Sequence, residues 1–243
     1  MVEIVEVIRR SDQGVTQPFI CRDENGRQLW VKGRAWAPRQ LVSEWICAEL
    51  ARLWKLPVAD YSLVSVSSEL IDLSAVREIS SLGSGIGFGS VHAEGAVELD
   101  YADVEKIDEH LRAEILLFDY WINNGDRVLG SAGGNPNLLW QPHAEQLVII
   151  DHNSAFAHEF SNSEFFQNHV FRDSLTLWSH ELRERQHKKL LEFLDCLPDI
   201  WRAVPEEWFA DDELTGFSAE LNRMKNILHR VKENEESFWK VCL

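Results

Sequence analysis

Little in this chain of 243 residues points to extracellular stapling, to a membrane or to nucleic acid. Its four cysteines, Cys21, Cys47, Cys196 and Cys242, are scattered, with no C-x-x-C pair and no histidine at metal-ligand spacing, so they read as thiols of a reducing compartment. No run approaches the roughly 20 apolar residues that a membrane helix needs. The start, Met1 to Ile8, alternates acidic and apolar residues where a secretory signal would carry an unbroken apolar core, and a cytoplasmic location is expected. Basic charge is also scarce: 24 Lys and Arg face 40 Asp and Glu, a net charge of −16. Nucleic-acid binding depends on clustered cations that neutralise phosphates, and it is not expected here. There is no internal repeat and no low-complexity tract.

What remains is a globular chain, 45% hydrophobic and large enough for one domain or for two small lobes that share a cleft. Alternation over Glu3 to Arg9 and a short run Pro18 to Arg22 predict strands. Asp23-Glu24-Asn25-Gly26 is a hairpin turn, returning through Gln28 to Lys32. Pro38 opens a helix whose apolar stripe, Leu41, Val42, Trp45, Ile46, Leu50 and Leu53, ends at Leu56-Pro57, and Tyr61 to Val66 reads as a further strand. The four glycines between Leu82 and Ser90 predict a flexible inter-lobe connection. Beyond it, Asp103 to Asn123, Asp173 to Cys196 and Phe217 to Val241 read as amphipathic helices, with Trp178, Phe193, Trp201, Trp208 and Phe238 in the core. The division expected is residues 1–90, a β-rich nucleotide-binding lobe, and 91–243, a mostly helical catalytic lobe.

The residues that carry chemistry cluster around Asn124-Gly125-Asp126-Arg127, Asn135-Pro136-Asn137-Leu138-Leu139 and Ile149-Ile150-Asp151-His152. Phosphoryl transfer needs cations around the phosphates and a group that orients the attacking hydroxyl. Asp126, at a glycine break after a long helix, is placed to take a proton from that hydroxyl. Asn137, at the mouth of an apolar strand, offers a hard oxygen to magnesium, and Asp151 ends a buried strand where an unpaired carboxylate would be costly. Lys32 ends the strand Leu29 to Lys32, in reach of nucleotide phosphates, and Glu44 can hold it by an ion pair. The loop Ser11 to Pro18, with Gly14, Val15 and Thr16 at its centre, can lay backbone N–H groups over phosphates. Zinc held by His143, His152, His158 or His169 is disfavoured, because no helical His-x-x-x-His pair and no cysteine partner accompanies them.

In these motifs, together with Trp30-Val31-Lys32, Leu41-Val42-Ser43-Glu44, Leu56-Pro57-Val58 and Phe88-Gly89-Ser90, the chain resembles the HipA-like kinases, and more closely the small branch without the extra N-terminal subdomain. The resemblance covers residues 3 to 200. It implies an α+β, two-lobed protein-kinase-like fold that binds ATP and Mg2+ and phosphorylates serine or threonine of a protein substrate. Carried over, Lys32 contacts the phosphates, Asp126 is the catalytic base with Arg127 beside it, and Asn135 or Asn137 holds metal with Asp151. Better-known relatives are toxins of toxin–antitoxin pairs that phosphorylate a translation factor, so an antitoxin or neighbouring-gene partner is implied as well. One departure stands out: residues 128–134 separate Asp126 from the asparagines, where the family keeps them close. A nucleotide-binding module without chemistry, or a transferase acting on a small molecule or moving AMP, is the rival reading.

Overall fold

The computed structural model describes residues 1–12, 17–35, 37–209 and 217–240. Five strands close into a barrel in the order β1-β2-β3-β5-β4: β1 (Val2–Arg10), β2 (Phe19–Asp23), β3 (Gln28–Lys32), β4 (Tyr61–Val66) and β5 (Gly85–Val91). The expected hairpin joins β2 to β3, because the buried Asp23 carboxylate accepts the backbone N–H groups of Asn25 at 3.0 Å and Arg27 at 2.8 Å. Alternate residues Leu29 and Val31 of β3, with Val64 and Val66 of β4, turn inward against Ile4, Phe19 and Cys21. All the pairings are antiparallel except one short parallel contact, Val2 and Glu3 of β1 against Val64 and Ser65 of β4.

The glycine-rich stretch is not a connection. Gly85 to Val91 is the strand that links β3 to β4 and closes the barrel. Its glycines serve close approach: a Cβ at Gly89 would lie 2.6 Å from a methyl of Val64, and one at Gly87 would lie 2.7 Å from the Lys32 carbonyl oxygen.

Helix α1 (Pro38–Trp54) starts at a proline whose missing N–H costs nothing there, and it ends at Lys55 in the left-handed region, φ 66°. Short α2 (Ser68–Leu73), capped by Ser67, follows β4. The next expected helix is split. A 3₁₀ turn over Tyr101–Lys106 precedes α3 (Glu109–Trp121), which restarts because the Asp108 side chain accepts the Leu111 N–H at 3.0 Å. Asp173 to Cys196 likewise resolves into a 3₁₀ turn, Arg172–Leu177, and α5 (His180–Arg202), capped by Ser179. The last helical segment divides into α6 (Phe217–Glu233) and α7 (Glu235–Lys240). Between α3 and α5 lie the hairpin β7 (Val128–Gly130) and β8 (Gly133–Asn135), two strands of a second sheet that the earlier β6 completes in the order β10-β9-β6, and α4 (Asn162–Asn168). That sheet comprises β6 (Val97–Glu98), β9 (Leu138–Gln141) and β10 (Gln146–Ile149).

The larger core sits around α1, α3 and α5. Trp121 is fully buried against Trp54, Phe118 and Phe193, and its indole N–H donates to the Leu228 carbonyl of α6 at 3.0 Å. Each such ring contributes roughly 1.5–3 kcal/mol by burial alone. Trp178, Phe193, Trp208 and Phe238 are buried as expected, and Trp201 is half-buried. Among the described residues no helix is long and apolar enough to cross a membrane.

Candidate active site

Three connections bring distant sequence to one place. Leu138 pairs with Ile149 in the β9–β10 hairpin, and the Ile150 N–H continues the ladder to the Asn137 carbonyl at 3.1 Å, so Asn137 and Asp151 lie at the same end. The chain after α1 is tied to that strand: Ile149 N–H donates to Pro57 at 2.8 Å, and Ala59 N–H donates to Ile149 at 3.0 Å. Glu44, buried on α1, accepts the His152 N–H at 3.0 Å. The helix that carries Glu44 is thereby fixed to the segment that carries Asp151.

Lys32 emerges from β3 between two carboxylates. Its ammonium bonds to Glu44 Oε1 and, at 2.8 Å, to Asp151 Oδ1. Burial disfavours every charge here. For Lys32 that penalty is outweighed by the two carboxylates, which hold its pKa above the usual lysine value. For Asp151 the penalty is outweighed by Lys32, and its carboxyl stays below the usual range. For Glu44 desolvation wins: it is pushed up to about 7, with Lys32 pulling down and Asp151 adding repulsion.

Asp126 is exposed, at the open end of the site. The residues inserted after it fold back as the β7–β8 hairpin, so the long gap in sequence is short in space: Asn137 Nδ2 donates to Asp126 Oδ2 at 3.0 Å. Asn135 stays in the exposed strand β8. Of the two candidate asparagines, only Asn137 meets Asp126. Its backbone is left-handed, φ 52°, as is that of Asp151, φ 55°, a conformation that Asn and Asp tolerate better than other side-chain-bearing residues.

Arg127 turns the other way, into the interior. Its Nε donates to Asp119 Oδ2 at 2.7 Å, and one terminal nitrogen donates to the carbonyls of Pro136 at 3.0 Å and Asn137 at 2.8 Å. It is completely shielded from solvent, so it braces the loop and does not face a substrate. Gly14, Val15 and Thr16 lie outside the described residues, and so does Cys242.

With Nδ2 engaged by Asp126, Asn137 has its amide oxygen to offer a cation, and Asp151 has a partly exposed carboxylate; both are hard donors suited to magnesium. Among the described residues no group of three His, Cys, Asp or Glu gathers as a metal site. His152 is buried edge-on to Phe118, and desolvation lowers it to about 3; His169 is buried too, while His143 and His158 are exposed.

Sequence reasoning missed three contributors. Asp119 has a legible signal, a lone acid inside Leu116-Leu117-Phe118-Asp119-Tyr120-Trp121, because such a residue is buried only with partners. Arg39 of α1 and Arg223 of α6 had none. Arg39 donates to the carbonyls of Ala155 at 3.2 Å and Phe156 at 2.8 Å; Arg223 binds the carbonyls of Phe156 and, at 3.2 Å, Ala157. Glu220 accepts from both arginines, and their hydrogen bonds, led by that of Arg223, hold it down at about 2. This clamp holds Phe156 at φ 56°, rare for so bulky a residue.

A family model described as HipA-like kinase matches residues 4–242. No curated protein matches the chain. Among solved structures, the chain is similar to the Helicobacter pylori proinflammatory kinase CtkA, at 14% identity and a TM-score of 0.47, over 100% of this chain and 95% of that one. A more distant likeness is to the FAT and kinase domain of CtTel1, at 13% identity and a TM-score of 0.32, over 89% of this chain and 20% of that one.

Proposed function

This chain belongs to the HipA-like kinase family, and from that premise we propose that it is an ATP- and Mg2+-dependent kinase whose acceptor is a serine or threonine hydroxyl of a protein. The barrel with α1 acts as a nucleotide lobe, residues 1–90, and the remainder, 91–243, as the catalytic lobe. The observation that carries this reading is the contact of Asn137 with Asp126 across the insertion, at the end of the β9–β10 hairpin where Asp151 also lies. The insertion therefore gives no support to a module without chemistry.

Lys32, held by Glu44, binds the phosphates of the nucleotide and orients them. Asp126 accepts the proton of the acceptor hydroxyl as its oxygen bonds to the γ-phosphorus; the bond from that phosphorus to the bridging oxygen breaks, and ADP departs with the electron pair. Asp151 and Asn137 would hold Mg2+, which neutralises charge on the β- and γ-phosphates when bound. A toxin role with an antitoxin partner is the biological setting that the family suggests.

Asp126→Ala tests the mechanism: phosphate transfer from labelled ATP should fall by about 10²–10⁴-fold or more, the range a positioned base supplies. Asp151→Ala should abolish Mg2+-dependent ATP binding in calorimetry. Transfer by Asp126→Ala at the wild-type rate would overturn the assignment, and an adenylyl gain by mass spectrometry would replace the kinase with an AMP transferase.

A further inference from the structure

Asp119 lies in the last turn of α3, fully buried, and its carboxylate accepts four hydrogen bonds. Arg127 gives two, from Nε at 2.7 Å and from its second terminal nitrogen at 3.3 Å; Asn124 Nδ2 gives one at 2.8 Å and His169 Nε2 one at 3.0 Å. The His169 proton is located by its other nitrogen: Nδ1 accepts the Phe171 N–H at 3.0 Å, so Nε2 carries the hydrogen and the ring donates while neutral. Burial, the dominant influence, holds His169 below its ordinary pKa despite Asp119. The backbone closes the same unit, since Val170 N–H donates to the Arg127 carbonyl at 2.9 Å.

On its far side the guanidinium holds the carbonyls of Pro136 and Asn137. Arg127 follows Asp126 in sequence, so one rigid group fixes the neighbour of the base and the backbone of Asn137 together. A planar fork held on one edge by a carboxylate presents its remaining donors in one direction only.

We propose that Asp119 and His169 are positioning residues for phosphoryl transfer, which aim Arg127 so that Asn137 is set against Asp126 and Asp151. This inference rests on the kinase reading. A buried ion pair is weak evidence of added stability, because apolar replacements of similar volume are often no less stable. What this pair does that an apolar pair cannot is hold two carbonyls at the root of the insertion.

The test is calorimetric titration of the full chain with ATP at a series of Mg2+ concentrations, on variants checked for folding by circular dichroism. Asp119→Asn should raise the Mg2+ concentration needed for half-maximal ATP binding by about 10–100-fold, the effect usual for groups that orient metal ligands. His169→Leu should raise it by about 3-fold, and His169→Gln, whose amide restores a donor to Asp119, should return towards wild type. A merely structural role would lower the melting temperature and leave the Mg2+ requirement of the folded protein unchanged, and that result in Asp119→Asn overturns the inference. If Asp119→Asn does not fold, an unchanged requirement in His169→Leu overturns it instead. Failure of the wild-type protein to bind ATP with Mg2+ would strike the kinase reading itself, a separate outcome.

Discussion

Lys32 and Arg127 are both buried cations that tie together remote parts of the chain, with side chains 8% and 0% exposed, yet their surroundings are balanced differently. Lys32 faces two carboxylates, Glu44 and Asp151, an excess of one negative charge, and Glu44 is raised to about 7 by desolvation, with repulsion from Asp151 added. Arg127 faces one carboxylate, which three side chains satisfy, and its spare donors go to backbone carbonyls. Excess charge in a half-open place attracts a further cation or a phosphate-bound metal. A closed, neutral network in the interior fixes geometry.

Substituting each cation by methionine should separate the two roles. Lys32→Met is expected to lose about 10²-fold or more in transfer from ATP, the scale for one preorganised electrostatic contact, and to remain folded because Glu44 can take up a proton. Arg127→Met leaves Asp119 buried without its cation and should lose roughly 3–5 kcal/mol of stability in urea denaturation. Equal stability losses in the two variants would erase the distinction.

The buried histidines and Glu44 respond to pH with opposite sign. His152, at about 3 when folded and 6.5 when free, stays neutral in the native protein while the unfolded chain takes up a proton. Its contribution is complete above pH 6.5 and is lost by about 1.4 kcal/mol per pH unit as pH falls towards 3. His169, in the Arg127 network, shifts the same way. Glu44 lies above its ordinary 4.5, so between pH 7 and 4.5 the native state holds a proton that the unfolded state lacks, and acidification through that window adds stability. Urea midpoints should therefore fall from pH 6.5 to 5, and Glu44→Gln, which removes the opposing contribution, should steepen that fall. An unaltered slope in Glu44→Gln would show that Glu44 is ionised throughout.

The smallest effect is expected at the hairpin. Asn135→Ala should change the Mg2+ requirement for ATP binding by less than about 2-fold, whereas Asn137→Ala should raise it by about 10²-fold, as loss of a direct ligand exceeds loss of an outer one. Similar values for both would remove Asn137 as the proposed magnesium ligand.

Much of this was readable where local rules and global fold agree. The β2–β3 hairpin follows from its turn residues, β3 and β4 fall where alternation puts them, and Lys32 meets Glu44 as strand and helix spacing suggested. The errors have physical causes. Glycine reads as flexibility, yet Gly87 and Gly89 are glycines because neighbouring strands and side chains leave no room for a methyl group. The choice between Asn135 and Asn137 depended on how a glycine-rich insertion folds back, which sequence spacing alone does not report. Partners such as Asp119 and His169, 50 residues apart, meet only through the packing of α3 against the chain after α4.

The staple at the root of the β7–β8 hairpin also has an evolutionary meaning. Because Arg127 pins the carbonyls of Pro136 and Asn137, the tip around Gly130 to Gly133 can lengthen, shorten or be rebuilt without moving Asn137. Loop-closure entropy grows slowly with length, so such changes cost little. Beside the base proposed for this chain, the hairpin tip thus offers a place where new acceptor preferences could be grafted, in nature or by design, while Asp126 and Asn137 stay in register.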